Sequence, residues 1–288
     1  MNRRRFLTLS AAALIAAPGH AGAVTDWQGT GLGAAVSLRL VGADPHQARQ
    51  TFARVEQALQ RIESLASLHR DSALTRLNRD GHLAWPAPEL QDLLALAGQV
   101  HGATQGAFDP TVQPLWLAIA TGQAPDPALI GWDRVTLSPQ EIRLDHGQQL
   151  TLNGIAQGWA ADRIAALLKT QGFADALIDM GEVSALGRHP DGRDWTARIV
   201  DPEGSALAEI GLSDRALATS SPRGTLIGAD RPHIIGPQGQ PPLWQTVAVS
   251  APRAALADAL STAFCLMPRP AIDAALARFP GARLEVLA

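Results

Sequence analysis

Several short stretches of this chain gather residue types that can do chemistry. "LADALSTAF" (256–264) sets Asp258 and Thr262 in a largely apolar run. Four apart on a helix, they lie on one face, one above the other. Two readings are open. Asp258 sits in the first turn, where it suits the helix dipole, and Thr262 bonds back to the Asp258 carbonyl. Alternatively, the two oxygens hold a hard cation. "RPHIIGPQGQPP" (231–242) reads as a strand ending at His233, then a proline-glycine turn. A histidine there is either a satisfied surface residue or a general base, because its ordinary pKa lies near working pH.

Three further stretches suit a bound anion or nucleotide. "LNGIAQGWAAD" (152–162) places Gly154 and Gly158 around a helix start. Glycine lets backbone approach a ligand closely, although the run is neither G-x-x-x-x-G-K-[ST] nor G-x-G-x-x-G. "GAFDPTVQPL" (106–115) has Asp109 as cap and Pro110 at the first helical position. Its free N–H groups suit phosphate or carboxylate; equally, it is a well-built junction with Phe108 in the core. "ALIDMGEVSALG" (176–187) carries Asp179 and Glu182 at a strand end, to meet a ribose or to cap a turn. There is no G-x-S-x-G, no Cys–His couple and no histidine pair at metal spacing, so neither an acyl hydrolase nor a zinc site has support.

The elements that must position these residues follow from periodicity. Phe52, Val55, Leu59, Ile62 and Ala66 recur at three and four, predicting an amphipathic helix from Pro45 to Leu68, capped by Asp44. A helical turn is expected at 72–78, with helices at 88–106, from Asp109 onward, at 154–172, at 256–267 and at 270–278. "LGAAVSLRLV" (32–41) reads as a strand, and 134–144 as a hairpin around Ser138-Pro139. "ALIDM", "WTARIV", "AEIGL", "RALATS", "PHIIG", "WQTVAVSA" and the final "ARLEVLA" read as further strands. Strands and helices come in blocks, which predicts an α+β fold in one mixed domain over 24–288.

Composition narrows the function. The 288 residues are 46% hydrophobic and 18% charged, with net charge -3, and no basic block lies beyond the N-terminus. Nothing points to nucleic acid. Cys265 is the one cysteine, and Lys169 the one lysine, so phosphate contacts fall to arginine, hydroxyls or backbone N–H groups. "NRRRFLT", the apolar "LSAAALIAA" and "PGHAGA" make a secretory signal peptide over 1–23, of twin-arginine type, with cleavage after Ala23. The expected product is periplasmic, without a lipid anchor.

Taken in order, "DSALTRLN", "GAFDPTVQPL", "LNGIAQGWAAD", "GEVSALG", "ATSS", "HIIGPQGQP" and "ADALSTA" resemble the ApbE family, the bacterial FAD:protein FMN transferases, from about Gly29 to Met267. The resemblance implies an α+β fold with a largely antiparallel sheet flanked by helices. It implies Mg²⁺-dependent transfer of FMN from FAD to a threonine or serine hydroxyl of an acceptor protein, with release of AMP. Membrane redox subunits are the family's usual acceptors. Asp258, Thr262 and the Gly154 carbonyl would hold the metal, a hard-oxygen set that suits Mg²⁺. Leu32, His69, Ala107, Phe108, Asp109, Thr151, Gln157 and Ile234 would hold FAD, with Phe108 and Ile234 burying the flat rings. His233 and Asp258 are the catalytic candidates, His233 being preferred as base because Asp258 is occupied by metal.

The chain departs from the family pattern at His69 (usually tyrosine), Thr151 (aspartate), Gln157 (lysine or an acid) and Gly236 (aspartate), and Gly181-Glu182 replaces paired glycines. The alternatives are therefore an FAD pyrophosphatase giving FMN and AMP, or a non-catalytic flavin-binding or assembly protein.

Overall fold

The computed structural model describes residues 24–288 and the backbone of residues 12–14. Apart from that three-residue stretch, the leader expected over 1–23 lies outside the described residues. A short strand β1 (Ala12–Leu14) is followed by the hairpin β2 (Val24–Gly31) and β3 (Ala34–Val41). Then comes α1 (Pro45–Ala66), where the Asp44 carboxylate accepts from the N–H groups of His46 and Gln47, as the cap-and-proline start predicts. Next are α2 (Ala73–Asp80), β4 (His82–Ala84), α3 (Pro88–Ala103) and, after a 3₁₀ turn at Pro110–Val112, α4 (Gln113–Thr121). The hairpin β5 (Thr136–Leu137) and β6 (Glu141–Arg143) turns at Ser138-Pro139 as expected.

The second half runs through α5 (Ala156–Thr170), β7 (Ala176–Asp179), β8 (Val183–Leu186), β9 (Trp195–Val200), β10 (Ala206–Leu212) and β11 (Arg215–Ser220). It ends with β12 (Leu226–Ile227), β13 (Arg231–Pro232), β14 (Val247–Ala251), α6 (Ala254–Phe264), α7 (Arg269–Leu276) and β15 (Arg283–Leu287). Seven of these strands form one sheet in the order β15-β14-β11-β8-β7-β3-β2, every neighbouring pair antiparallel. The α+β expectation holds.

Side-chain alternation gives this sheet two apolar faces. Ile178, Ala216 and Ala218 join the large core built with α1, α3, α5 and α6, while Leu177, Val183 and Leu217 pack on Trp195, Ala197 and Ile199 of β9. Helices thus cover one face and a small antiparallel sheet, β1-β9-β10, the other. No helix among the described residues is long and apolar enough to cross a membrane.

Several expectations are corrected. Strand β2 precedes the predicted 32–41 segment, and β8 occupies residues read as part of a glycine turn. Both were obscured because their alternation is broken by small or polar residues. "PHIIG" is no strand: pairing stops at Pro232, whose missing N–H cannot extend a ladder, and His233 and Ile234 lie in the loop beyond. Helix α6 begins at Ala254, so Asp258 is its fifth residue and not in the first turn. Nor does the Thr262 hydroxyl bond back to the Asp258 carbonyl; the hydroxyl that does so is that of Ser261, at 3.0 Å.

Candidate functional site

Helices α5 and α6 meet along a stripe that steps four residues at a time in opposite directions. A Cβ on Gly154, in the turn before α5, would lie 3.0 Å from both Thr262 Cγ2 and Oγ1. One helical turn on, the Gly158 N–H donates to Asp258 Oδ2 at 3.0 Å, across 100 residues of chain. One turn further, Asp162 accepts from the N–H groups of Ala254 (2.7 Å) and Ala255 (3.1 Å). An acid on one helix therefore caps the other, whose own cap residue, Arg253, offers no side-chain bond. Glycine at 158 is obligatory for this approach, since a Cβ there would lie 2.3 Å from the Ala254 carbonyl oxygen. The antiparallel register sets Gly154 against Thr262 and, one turn along the same junction, Gly158 against Asp258.

Electrostatics show what this place lacks. Asp258 is 4% exposed, and no ion pair reaches it among the described residues. Burial pushes its carboxyl up to about 7; the Gly158 N–H opposes the rise and the neighbouring Asp162 adds to it. The Thr262 hydroxyl finds only Ser220 Oγ, at 3.4 Å, which itself lies 2.8 Å from Ser261 Oγ. A buried carboxylate without a counter-charge, next to a hydroxyl with spare lone pairs, is a place a small hard cation fits. No group of three or more His, Cys, Asp or Glu side chains is arranged for a metal among the described residues. A cation here would need neutral oxygens to complete its shell, which is how Mg²⁺ is commonly bound.

His233 is held by its loop. Its Nδ1 lies 2.8 Å from the Pro222 carbonyl and 3.2 Å from that of Thr225. Carbonyls only accept, so Nδ1 carries the proton and the Nε2 lone pair is left to take one. Burial lowers the imidazole pKa below its ordinary value, against the two carbonyl bonds that raise it, so the ring is neutral at pH 7. A cleft of about 430 Å³, lined by Arg223, Arg231, Pro232 and Trp244 among others, adjoins this loop.

The expected flavin-binding residues fall into three groups. Leu32, in the left-handed region at φ 51°, donates its N–H to Glu63 Oε1 at 3.1 Å, and Arg70 pairs with Glu63 Oε2 at 3.0 Å. Glu63 thus ties the Leu32 turn to the loop that carries the exposed His69. The Thr151 N–H donates to the Pro110 carbonyl at 2.8 Å, joining the Ala107–Asp109 turn to the strand-like lead into Gly154. Asn78 braces that lead, donating to the Leu150 carbonyl at 2.8 Å and accepting from its N–H at 2.7 Å. This gives the "DSALTRLN" stretch its role. Gln157 lies against Gly181, where φ is +96° and a Cβ would lie 2.6 Å from Gln157 Nε2.

Three of the expected side chains are largely engaged by the fold itself. Phe108 and Ile234 are 5% and 8% exposed and packed in the main core, so neither ring face nor alkyl arm is open to a flavin. Asp109 spends Oδ1 on the Thr111 N–H (2.8 Å) and hydroxyl (2.6 Å). What this turn offers a ligand is backbone, with Ala107 half-buried at its edge. Reading local sequence missed Asp162 and Asn78 as residues that build this junction and its lead; the 154/158/162 spacing alone could have flagged the first.

The fold as a whole is shared with a solved flavinyl transferase. The apo flavinyl transferase ApbE of Pseudomonas stutzeri matches with a TM-score of 0.77 at 26% identity, over 88% of this chain and 88% of that one. The sequence profile of the ApbE family spans residues 32–286, and the chain belongs to that family. It is 28% identical over 271 residues to the FAD:protein FMN transferase of Salmonella typhimurium, covering 83% of this chain and 77% of that protein. With the FAD:protein FMN transferase of Treponema pallidum it shares 32% over 266 residues, covering 77% and 73%.

Proposed function

We propose that this chain transfers FMN from FAD to a threonine or serine hydroxyl of an exported or membrane redox protein, releasing AMP. The observation that carries the reading is the α5–α6 junction, where Asp258 is buried without a counter-charge beside Thr262 and Gly154. Family membership and relatives named FAD:protein FMN transferase support the same reaction.

In this reading Asp258, the Thr262 hydroxyl and the Gly154 carbonyl hold Mg²⁺. Bound there, the ion would neutralise charge on a pyrophosphate. The chain's own residues supply the rest. Backbone of the Ala107–Asp109 turn and of the Thr151 lead cradles FAD, while the Leu32 turn, His69 and Gln157 border it. The acceptor hydroxyl oxygen bonds to the FMN phosphorus as the phosphorus–oxygen bond to AMP breaks, and no oxidation state changes. His233 Nε2 takes the hydroxyl proton; with Nδ1–H held by two carbonyls, the ring is kept in the tautomer this step needs. The leader over 1–23 would deliver the folded enzyme to the periplasm, a reading that rests on sequence alone.

The test is incubation with FAD, Mg²⁺ and a candidate acceptor, resolved on a denaturing gel and by chromatography. Flavin fluorescence that stays with the acceptor, together with free AMP, is the expected result. Free FMN plus AMP without labelling would establish a pyrophosphatase, and unchanged bound FAD a carrier; either would overturn the proposal.

A further inference from the structure

Glu182 has no part in the reaction above, and its surroundings are unusual. It opens the turn from Gly181 into β8, is 8% exposed, and its Oε2 is buried without any hydrogen-bond partner. Such an atom forfeits its hydration for nothing in return, a cost of about 1–3 kcal/mol and more for a charged group. Alternation sets Glu182 and Leu186 on the sheet face that carries α5 and α6, opposite Val183 and Ala185. There burial, and after it the charge of nearby Asp258 and more weakly that of Asp179, push its carboxyl well above the ordinary range, while the Thr219 N–H opposes them. No arginine, lysine or histidine pairs with Glu182 or Asp258 among the described residues.

Two buried acids that repel one another, one with an idle oxygen, form a poor structural pair and a good half-shell for a divalent cation. We infer that Glu182 is a second carboxylate ligand of the cation held by Asp258, Thr262 and Gly154. The inference rests on the metal reading above and deepens it: two carboxylates, one hydroxyl and one carbonyl leave the remaining positions of an octahedral Mg²⁺ for phosphate oxygen and water. The second charge makes the site able to load before FAD arrives, without pyrophosphate to complete the neutralisation.

Calorimetric titration of Mn²⁺ and Mg²⁺ into the FAD-free, EDTA-stripped protein tests this, alongside the thermal midpoint with and without metal. Wild type should bind in the absence of flavin. Glu182→Gln, which keeps size and hydrogen-bonding capacity, should weaken Mn²⁺ binding at least tenfold. It should also shrink the metal-induced rise in Tm while raising the Tm of the stripped protein, because one buried acid is gone. A merely structural Glu182 would give a stripped variant less stable than wild type with unaltered metal affinity, and that result overturns the inference. Glu182→Asp, a second variant, should recover part of the affinity; no recovery with an intact fold also counts against it. Wild type that binds no metal would instead sink the metal reading itself.

Discussion

Replacing Gly158 by alanine sets two physical effects against each other. Helix propensity favours the change by up to about 1 kcal/mol, because alanine loses less backbone entropy. Sterics oppose it. The added methyl would lie 2.3 Å from the Ala254 carbonyl oxygen, 2.5 Å from its carbon and 2.7 Å from Ala255 N. These are backbone atoms at the start of α6, which cannot swing aside, so the helices must part by roughly 1 Å. Overpacking of this kind costs about 1–3 kcal/mol. Parting also stretches the Gly158 N–H bond to Asp258, which as a bond to a charged group is worth about 1.5–3 kcal/mol. The net expectation is a loss of about 2–4 kcal/mol, or roughly 4–8 °C in Tm for a domain of this size. Gly102→Ala in α3 is the control, since a Cβ there meets nothing within 4 Å; it should hold or gain up to about 1 kcal/mol. Melting followed by circular dichroism, with and without Mg²⁺, reads both. A Gly158→Ala protein melting at or above wild type would refute the close approach, and with it the junction that positions Asp258.

Three more outcomes are expected. In EDTA, stability should fall as pH rises from about 4 to about 7: burial raises Asp258 to about 7, so the folded state keeps a proton that the unfolded chain has released. The drop attributable to Asp258 is on the order of 4 kcal/mol, and urea titrations showing equal stability at pH 5 and pH 8 would contradict it. Asn78→Ala should cost about 2–4 kcal/mol, because both polar groups of the fully buried Leu150 lose their partner; a urea midpoint within error of wild type would show the brace to be idle. His233→Ala should retain FAD binding by fluorescence quenching yet lose about 10²–10⁴-fold in transfer rate, whereas full transfer would remove His233 from the reaction.

Much of this molecule is legible along the chain, because local rules govern it. Asp44-Pro45 and the three-and-four spacing after it dictate α1, since capping and one apolar stripe need only neighbours in sequence. Ser138-Pro139 dictates its hairpin, and the order of short motifs points to the family. Asp258 and Thr262 share a helical face by spacing alone. Tertiary structure decided what that face meets. Gly158 and Asp258 are 100 residues apart, Asn78 and Leu150 are 72 apart, and no local period records such pairings. Burial, too, belongs to the fold: Phe108 and Asp109 look available to a ligand in sequence, yet packing buries the Phe108 ring and Thr111 takes one carboxylate oxygen of Asp109. Glu182 reads as a turn acid until sheet alternation places it, buried, on the face that carries α5 and α6. A charge's energy depends on the dielectric and the partners around it, and those come from segments that meet only when the chain folds.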